Sequence, residues 1–214
     1  DLVGVVKKVQ ATIDSKVHLP QGYYVTYGGQ FESQATASRL IAVLSLFSLA
    51  GMFMVLFVHF KSANLALQVM VSIPLAFIGA VIGVWLSGGV FSIATMVGFV
   101  TLTGIAARNG IMMIAHYLHL MEHEGERFDL AMIYRGTSER IIPVLMTALT
   151  ASLALIPLII AADEPGREIL HPVAVVIFCG LFSSTLLDLT VRPLVFWKFG
   201  KKPVAALLPA AITH

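Results

Sequence analysis

The sequence predicts an all-α integral membrane fold of five transmembrane helices, preceded by a short α/β remnant of a soluble domain. Composition is the first observation behind this. Of 214 residues, 57% are hydrophobic and only 12% charged, with a mean hydropathy of +0.87. Soluble domains carry about 45–50% apolar and about 25% charged residues, so too little polar surface remains here to wrap a soluble core. The second observation is the set of five apolar runs, each close to the roughly 20 residues that a helix needs to cross a bilayer. The third is that most charges fall in the gaps between those runs. The net charge of +2 gives no argument for a nucleic-acid partner, and a single cysteine, Cys179, excludes a disulfide framework or a multi-thiolate metal site.

The first run, 40–60, is bracketed by Arg39 and Lys61, and the second, 65–86, carries Gln68 as its one strongly polar side chain. The third, 91–118, is interrupted only by Arg108 and Asn109 before a polar far end. The fourth, 141–162, has no charge, and the fifth, 173–199, is clean until Asp188 and Arg192. These runs place residues 39–200 in the membrane, with 1–38 before it and 201–214 as a tail.

Within 1–38, Leu2, Val5, Val6, Val9 and Ile13 keep helical spacing. A turn signal follows at Leu19-Pro20-Gln21-Gly22, and Tyr23, Val25 and Tyr27 then alternate like a strand. One helix and one strand cannot bury a core alone, so they read as the last pieces of a larger soluble domain. No signal peptide opens the chain, which points to a C-terminal fragment of a longer protein. Lys61, Arg127, Arg135, Arg140, Lys198, Lys201 and Lys202 gather on one side of the predicted bundle, against Arg39 and Arg167 on the other. Basic residues accumulate on the cytoplasmic side, so the N-terminal segment is expected outside and the C-terminus inside.

Few residues in the spans can carry chemistry. Arg108 follows the uncharged run 93–107, and a charge at that depth costs about 2.5–3.5 kcal/mol on insertion scales unless it meets a partner or water. Arginine does not release its proton. Arg108 therefore suits a fixed counter-charge for a titrating carboxylate, or a structural cap on neighbouring carbonyls. Ser184, Asp188 and Arg192 recur every four residues and share a helix face, which reads either as a local ion pair or as the wall of a proton exit. Thr147, Thr150, Ala151 and Ala154 form a small-residue stripe, and Gly79 and Gly83 a GxxxG, both suited to close helix approach. Thr147 is also a candidate to orient the Arg108 region. His116, His119 and His123 lie near one face with metal-compatible spacing, a pattern that a solvated helix end also produces. The nine methionines read as core filling. No zinc-protease, nucleotide-binding or nucleophile-elbow motif is present.

Several ordered stretches resemble the C-terminal transmembrane region of resistance–nodulation–division efflux permeases, and more closely their heavy-metal-efflux branch (CusA/CzcA type). They are Tyr27-Gly28-Gly29-Gln30-Phe31-Glu32, then Gly104-Ile105-Ala106-Ala107-Arg108-Asn109-Gly110, then Glu139-Arg140-Ile141-Ile142-Pro143-Val144-Leu145-Met146-Thr147, then Gly166-Arg167-Glu168-Ile169 and Ser183-Ser184-Thr185-Leu186-Leu187. The resemblance implies that 1–38 ends a periplasmic porter domain. It also implies a proton/metal-cation antiporter, not an enzyme, working as a homotrimer in a bacterial inner membrane with a periplasmic adaptor and an outer-membrane channel. No tightly bound cofactor is implied; protons and the metal cation are transported. In the drug-efflux branch a lysine matches Arg108 and pairs with aspartates of the first transmembrane half, a threonine matches Thr147, and a cytoplasmic-side arginine matches Arg140. Arg108, Thr147 and Arg140 from this resemblance, with Asn109 and Asp188 from their own positions in the spans, are the proton-relay candidates. Arginine in place of lysine keeps the charge but not the geometry. Cys179 stands where a second glycine is expected before Gly180.

Overall fold

The chain forms eight helices among its described residues, 2–17, 20, 25, 30–89, 91–160 and 169–209 of the computed structural model. The amphipathic helix α1 spans Leu2–Lys16, and α2, Gln30–Phe60, runs unbroken through the first apolar stretch. The α/β remnant expected at the N-terminus needs correcting: no described residue is in a strand, and Val25 stands outside any regular element. Tyr23 and Tyr27 lie outside the described residues. A period of two over a few residues is only a local pattern, and a strand persists only when neighbours take up its backbone hydrogen bonds. Here the chain enters helix at Gln30 instead.

The second span is two helices in one line, α3 (Ala63–Met70) and α4 (Ser72–Leu86), separated at Val71. Pro74 explains the break, since it lacks an N–H for the Met70 carbonyl and its ring crowds the preceding turn. The third helix to cross, α5 (Ile93–His123), starts with a capping box in which the Ser92 hydroxyl accepts from the Thr95 N–H and Thr95 Oγ1 accepts from the Ser92 N–H. Next, α6 spans Leu130–Ile160, with Asp129 Oδ1 accepting from the Met132 N–H at 2.7 Å. It begins well before the apolar stretch at 141, because its first turns are helical but carry Arg135, Glu139 and Arg140. Last come α7 (Leu170–Phe199) and the short α8 (Lys201–Leu207), whose Pro203 and Val204 are buried.

Five of these segments are long and apolar enough to cross a membrane: Thr36–Phe60, Ala63–Leu86, Ile93–His123, Leu130–Ile160 and Leu170–Phe199. In hydrocarbon the backbone must satisfy its own hydrogen bonds, which is why each run is one helix or two stacked ones. The central helix is α7, packed against α4, α5 and α6. Its contact with α4 is close because Gly79 and Gly83 face it. A side chain at Gly79 would collide with the Cys179 carbonyl and Ser183, and one at Gly83 would lie 2.7 Å from Cys179 Sγ. Where a second glycine was expected, Cys179 therefore packs its sulfur over Gly83. The Ser183 hydroxyl crosses to the Leu75 carbonyl at 2.9 Å. We expect Gly79→Val to destabilise the protein by about 1–3 kcal/mol through overpacking, read as a lowered thermal midpoint in detergent; an unchanged midpoint would show that the two helices separate there freely.

Toward the Phe60, His123 and Phe199 ends, a large core joins Leu56, Phe60, Leu65, Ile114, Tyr117, Leu120, Met132 and Phe196. The Tyr117 hydroxyl and Thr137 Oγ1, 2.6 Å apart, tie α5 to α6 within it.

Candidate functional site

Helices α5 and α6 run antiparallel and leave a cleft of about 280 Å³ between them, closed on one side by Leu181 of α7. Arg108, Asn109, Met112 and Met113 line it from α5, and Arg140, Pro143, Val144, Thr147 and Ala151 from α6. Spacings of three and four residues put each set on one helix face. Four of the five relay candidates, Arg108, Asn109, Arg140 and Thr147, thus share one cleft although thirty residues and a loop separate the two groups. Thr147 donates its hydroxyl back to the Val144 carbonyl at 2.9 Å, and Thr150 bonds the Met146 carbonyl on an exposed face. The small-residue stripe is therefore divided: Thr147 and Ala151 line the cleft, while Thr150 and Ala154 face outward.

The electrostatics of this cleft are one-sided. Among the described residues, two guanidinium groups line it and no carboxylate does. Arg108 is exposed and makes no ion pair among the described residues. Arg140 is half-buried, and its Nε is buried with no hydrogen-bond partner among them. Arg108, Asn109, Arg140 and Thr147 offer donors and fixed positive charge, and none of them titrates near neutral pH. Such a surface can hold an anionic group and respond to its protonation.

Asp188 lies elsewhere. It is buried on α7 at 3% exposure, with Arg192 at 4%. Arg192 Nη2 donates to Asp188 Oδ1 at 2.7 Å and to Ser72 Oγ of α4, and the Ser184 hydroxyl donates to Asp188 Oδ2 at 3.0 Å. Glycine at 110 makes room for this arrangement, since a side chain there would lie 2.6 Å from Arg192 Nη1 and 2.8 Å from Ser72 Oγ. Of the two sequence readings, the geometry is that of a closed local pair.

The three histidines do not converge. His116 turns to α6, its Nε2 lying 2.8 Å from Glu139 Oε2. His119 and His123 stack their rings with centroids 4.6 Å apart and share a shallow pocket with His59 and Lys61. Among the described residues no group of three or more His, Cys, Asp or Glu is arranged to hold a metal ion. Sequence reasoning missed Glu139 and Ser72. Glu139 was legible as the i+4 partner of Arg135, and Ser72 as a polar residue one turn beyond Gln68 within an apolar run.

Five helical segments apolar enough to cross a membrane, with a cleft lined by two arginines among them, define a polytopic membrane domain. The comparisons make that specific. Residues 1–200 match the model of the AcrB/AcrD/AcrF family, and the chain belongs to that family. It is 38% identical over 199 residues to Protein HelA of Legionella pneumophila, covering 93% of this chain and 19% of that protein. It is 37% identical over 196 residues to the cobalt-zinc-cadmium resistance protein CzcA of Cupriavidus metallidurans, covering 92% and 18%. A crystal structure of a heavy metal efflux pump superposes with a TM-score of 0.79 at 34% identity, covering 94% of this chain and 20% of that one. The chain thus spans about a fifth of the length of the relatives it matches.

Proposed function

We propose that this chain is part of a proton-driven efflux permease that exports heavy-metal cations by proton/cation antiport, and that the α5–α6 cleft is the counter-charge half of its proton relay. The observation that carries this is the placement of Arg108 and Arg140 on one cleft that no carboxylate among the described residues lines. A carboxylate from outside the described residues, when ionised, is held by Arg108; when protonated it loses that attraction and the helices shift. A local charge change then biases a two-state bundle. Asn109 and Thr147 supply polar contacts for the same acid. Metal export is supported by the likeness to CzcA, a cobalt-zinc-cadmium resistance protein, and to the superposed heavy metal efflux pump.

In this reading the complete pump is a homotrimer in a bacterial inner membrane, joined to a periplasmic adaptor and an outer-membrane channel. The Phe60, His123 and Phe199 ends of the helices face the cytoplasm, because Lys61, Arg127, Arg135, Lys198, Lys201 and Lys202 gather there. The test is the complete permease in proteoliposomes with an imposed pH gradient. Zinc or cobalt is expected to drive counter-flow of protons. If neither metal moves protons while organic cations do, the permease exports organic compounds on the same scaffold and the metal reading fails.

A further inference from the structure

The cleft poses a chemical problem. Its polar side chains are two arginines, an asparagine and a threonine, and none of these accepts and releases a proton near neutral pH. Asp188 cannot serve the cleft, because it is buried against Arg192, Ser184 and the α4 helix. A proton leaving an acid docked at Arg108 must therefore pass to a group further along. Asn109, Met112, Met113 and His116 follow one another at i, i+3, i+4 and i+7, so His116 continues the cleft-lining face of α5 one turn beyond Met112. On α6, Glu139 precedes Arg140 and sits one turn beyond Pro143. These two meet at 2.8 Å. Histidine is the one side chain whose ordinary titration falls in the physiological range.

We propose that His116, held by Glu139, takes the proton from the cleft and delivers it to the solvent at the His123 end of α5. This rests on the antiport reading above and deepens it. Exposure runs in the required direction: the His116 side chain is 12% exposed and Glu139 40%. With Nε2–H donated to Glu139 Oε2, the other ring nitrogen carries the free lone pair. A proton bound there gives an imidazolium. Loss of the Nε2 proton to the carboxylate, and from it to bulk water, restores a neutral ring, and ring rotation resets donor and acceptor.

The surroundings hold Glu139 in place beside His116. Arg135 Nε donates to Glu139 Oε1 at 2.9 Å, and its two terminal nitrogens bind Glu126 at 2.7 Å and Glu124 at 2.5 Å. Three carboxylates thus face one arginine beside His116. Arg108 and Arg140 lie one to two turns back along the cleft, Glu122, His119 and His123 lie further along α5, and the Asp188–Arg192 pair of α7 is on another face of α5, against Gly110.

The experiment uses the complete permease in proteoliposomes, with zinc as the probe and proton flux read from pH 5.5 to 8.5. His116→Gln keeps a donor toward Glu139 but cannot titrate. Zinc-driven proton flux is expected to fall on the order of 100-fold, the lower end of what a positioned acid–base group contributes, with the thermal midpoint unchanged. Glu139→Gln removes the carboxylate that takes the Nε2 proton, so flux is expected to fall and its pH profile to change from that of the wild type. A purely structural clasp between α5 and α6 would move the midpoint and leave the pH profile in place. If Arg108→Ala abolishes flux while His116→Gln keeps full flux, or Glu139→Gln leaves the profile unshifted, the proposal is overturned and antiport stands. If Arg108→Ala also leaves flux intact, antiport through this cleft falls with it.

Discussion

Replacing Arg108 with alanine is expected to reduce metal export by the complete permease to the level of a host without it. A guanidinium inside a span costs about 2.5–3.5 kcal/mol to insert, and among the described residues nothing on α5, α6 or α7 pairs with it. Among the described residues Arg140 is the only other charge on the cleft, and it has the same sign. In the proposed relay the group that Arg108 holds is therefore anionic. Removing the arginine leaves that acid without its partner, and an uncompensated charge at such a site costs about 3–5 kcal/mol. The acid then stays protonated through the cycle and the bundle loses one of its two states. Arg108→Lys retains charge but not the planar fork, so export is expected between wild type and alanine. Growth on graded zinc or cobalt, with membrane levels of the variants matched, provides the measurement. Undiminished tolerance with Arg108→Ala would sink the counter-charge role.

The second large effect is on stability. Arg192→Met leaves the Asp188 carboxylate buried, with Ser184 as its remaining donor, and is expected to cost about 3–5 kcal/mol. Asp188→Leu combined with Arg192→Met removes both charges and should recover most of that loss, since a buried pair is worth little against an apolar pair of similar volume. Thermal unfolding in detergent micelles separates the cases. Equal midpoints for the single and double variants would show that the pair is not what closes α7 against Ser72 on α4.

The relay candidates were legible one by one but not as a site. Arg108 stood out because a lone charge in an apolar run is costly, and that cost is a property of the segment. Nothing local says which neighbour it faces. Asp188 and Arg192 were legible as neighbours on one face, yet Ser72, which completes their enclosure, comes from another helix. The early start of α6 was missed because hydropathy detects contact with lipid, not helicity, and the turns around Arg135 and Glu139 are helical and polar. The strand at Tyr23, Val25 and Tyr27 was read from alternation alone; Val25, the one of the three that is described, lies outside any strand, and helix begins at Gln30.

The sequence by itself determined that the chain lives in a bilayer, how many times it crosses, and which side chains are too expensive to be there without a purpose. Transfer free energy and helical periodicity act within a segment and need no partner, so they can be read along a line. Only the tertiary structure decided that Arg108 and Arg140 share a cleft, that His116 meets Glu139 between α5 and α6, and that Asp188 is closed off between α7 and α4. Those outcomes depend on how closely helices approach and at what rotation. Here contacts such as Gly79 on Cys179 and Tyr117 on Thr137 set both, and they join residues far apart in the chain.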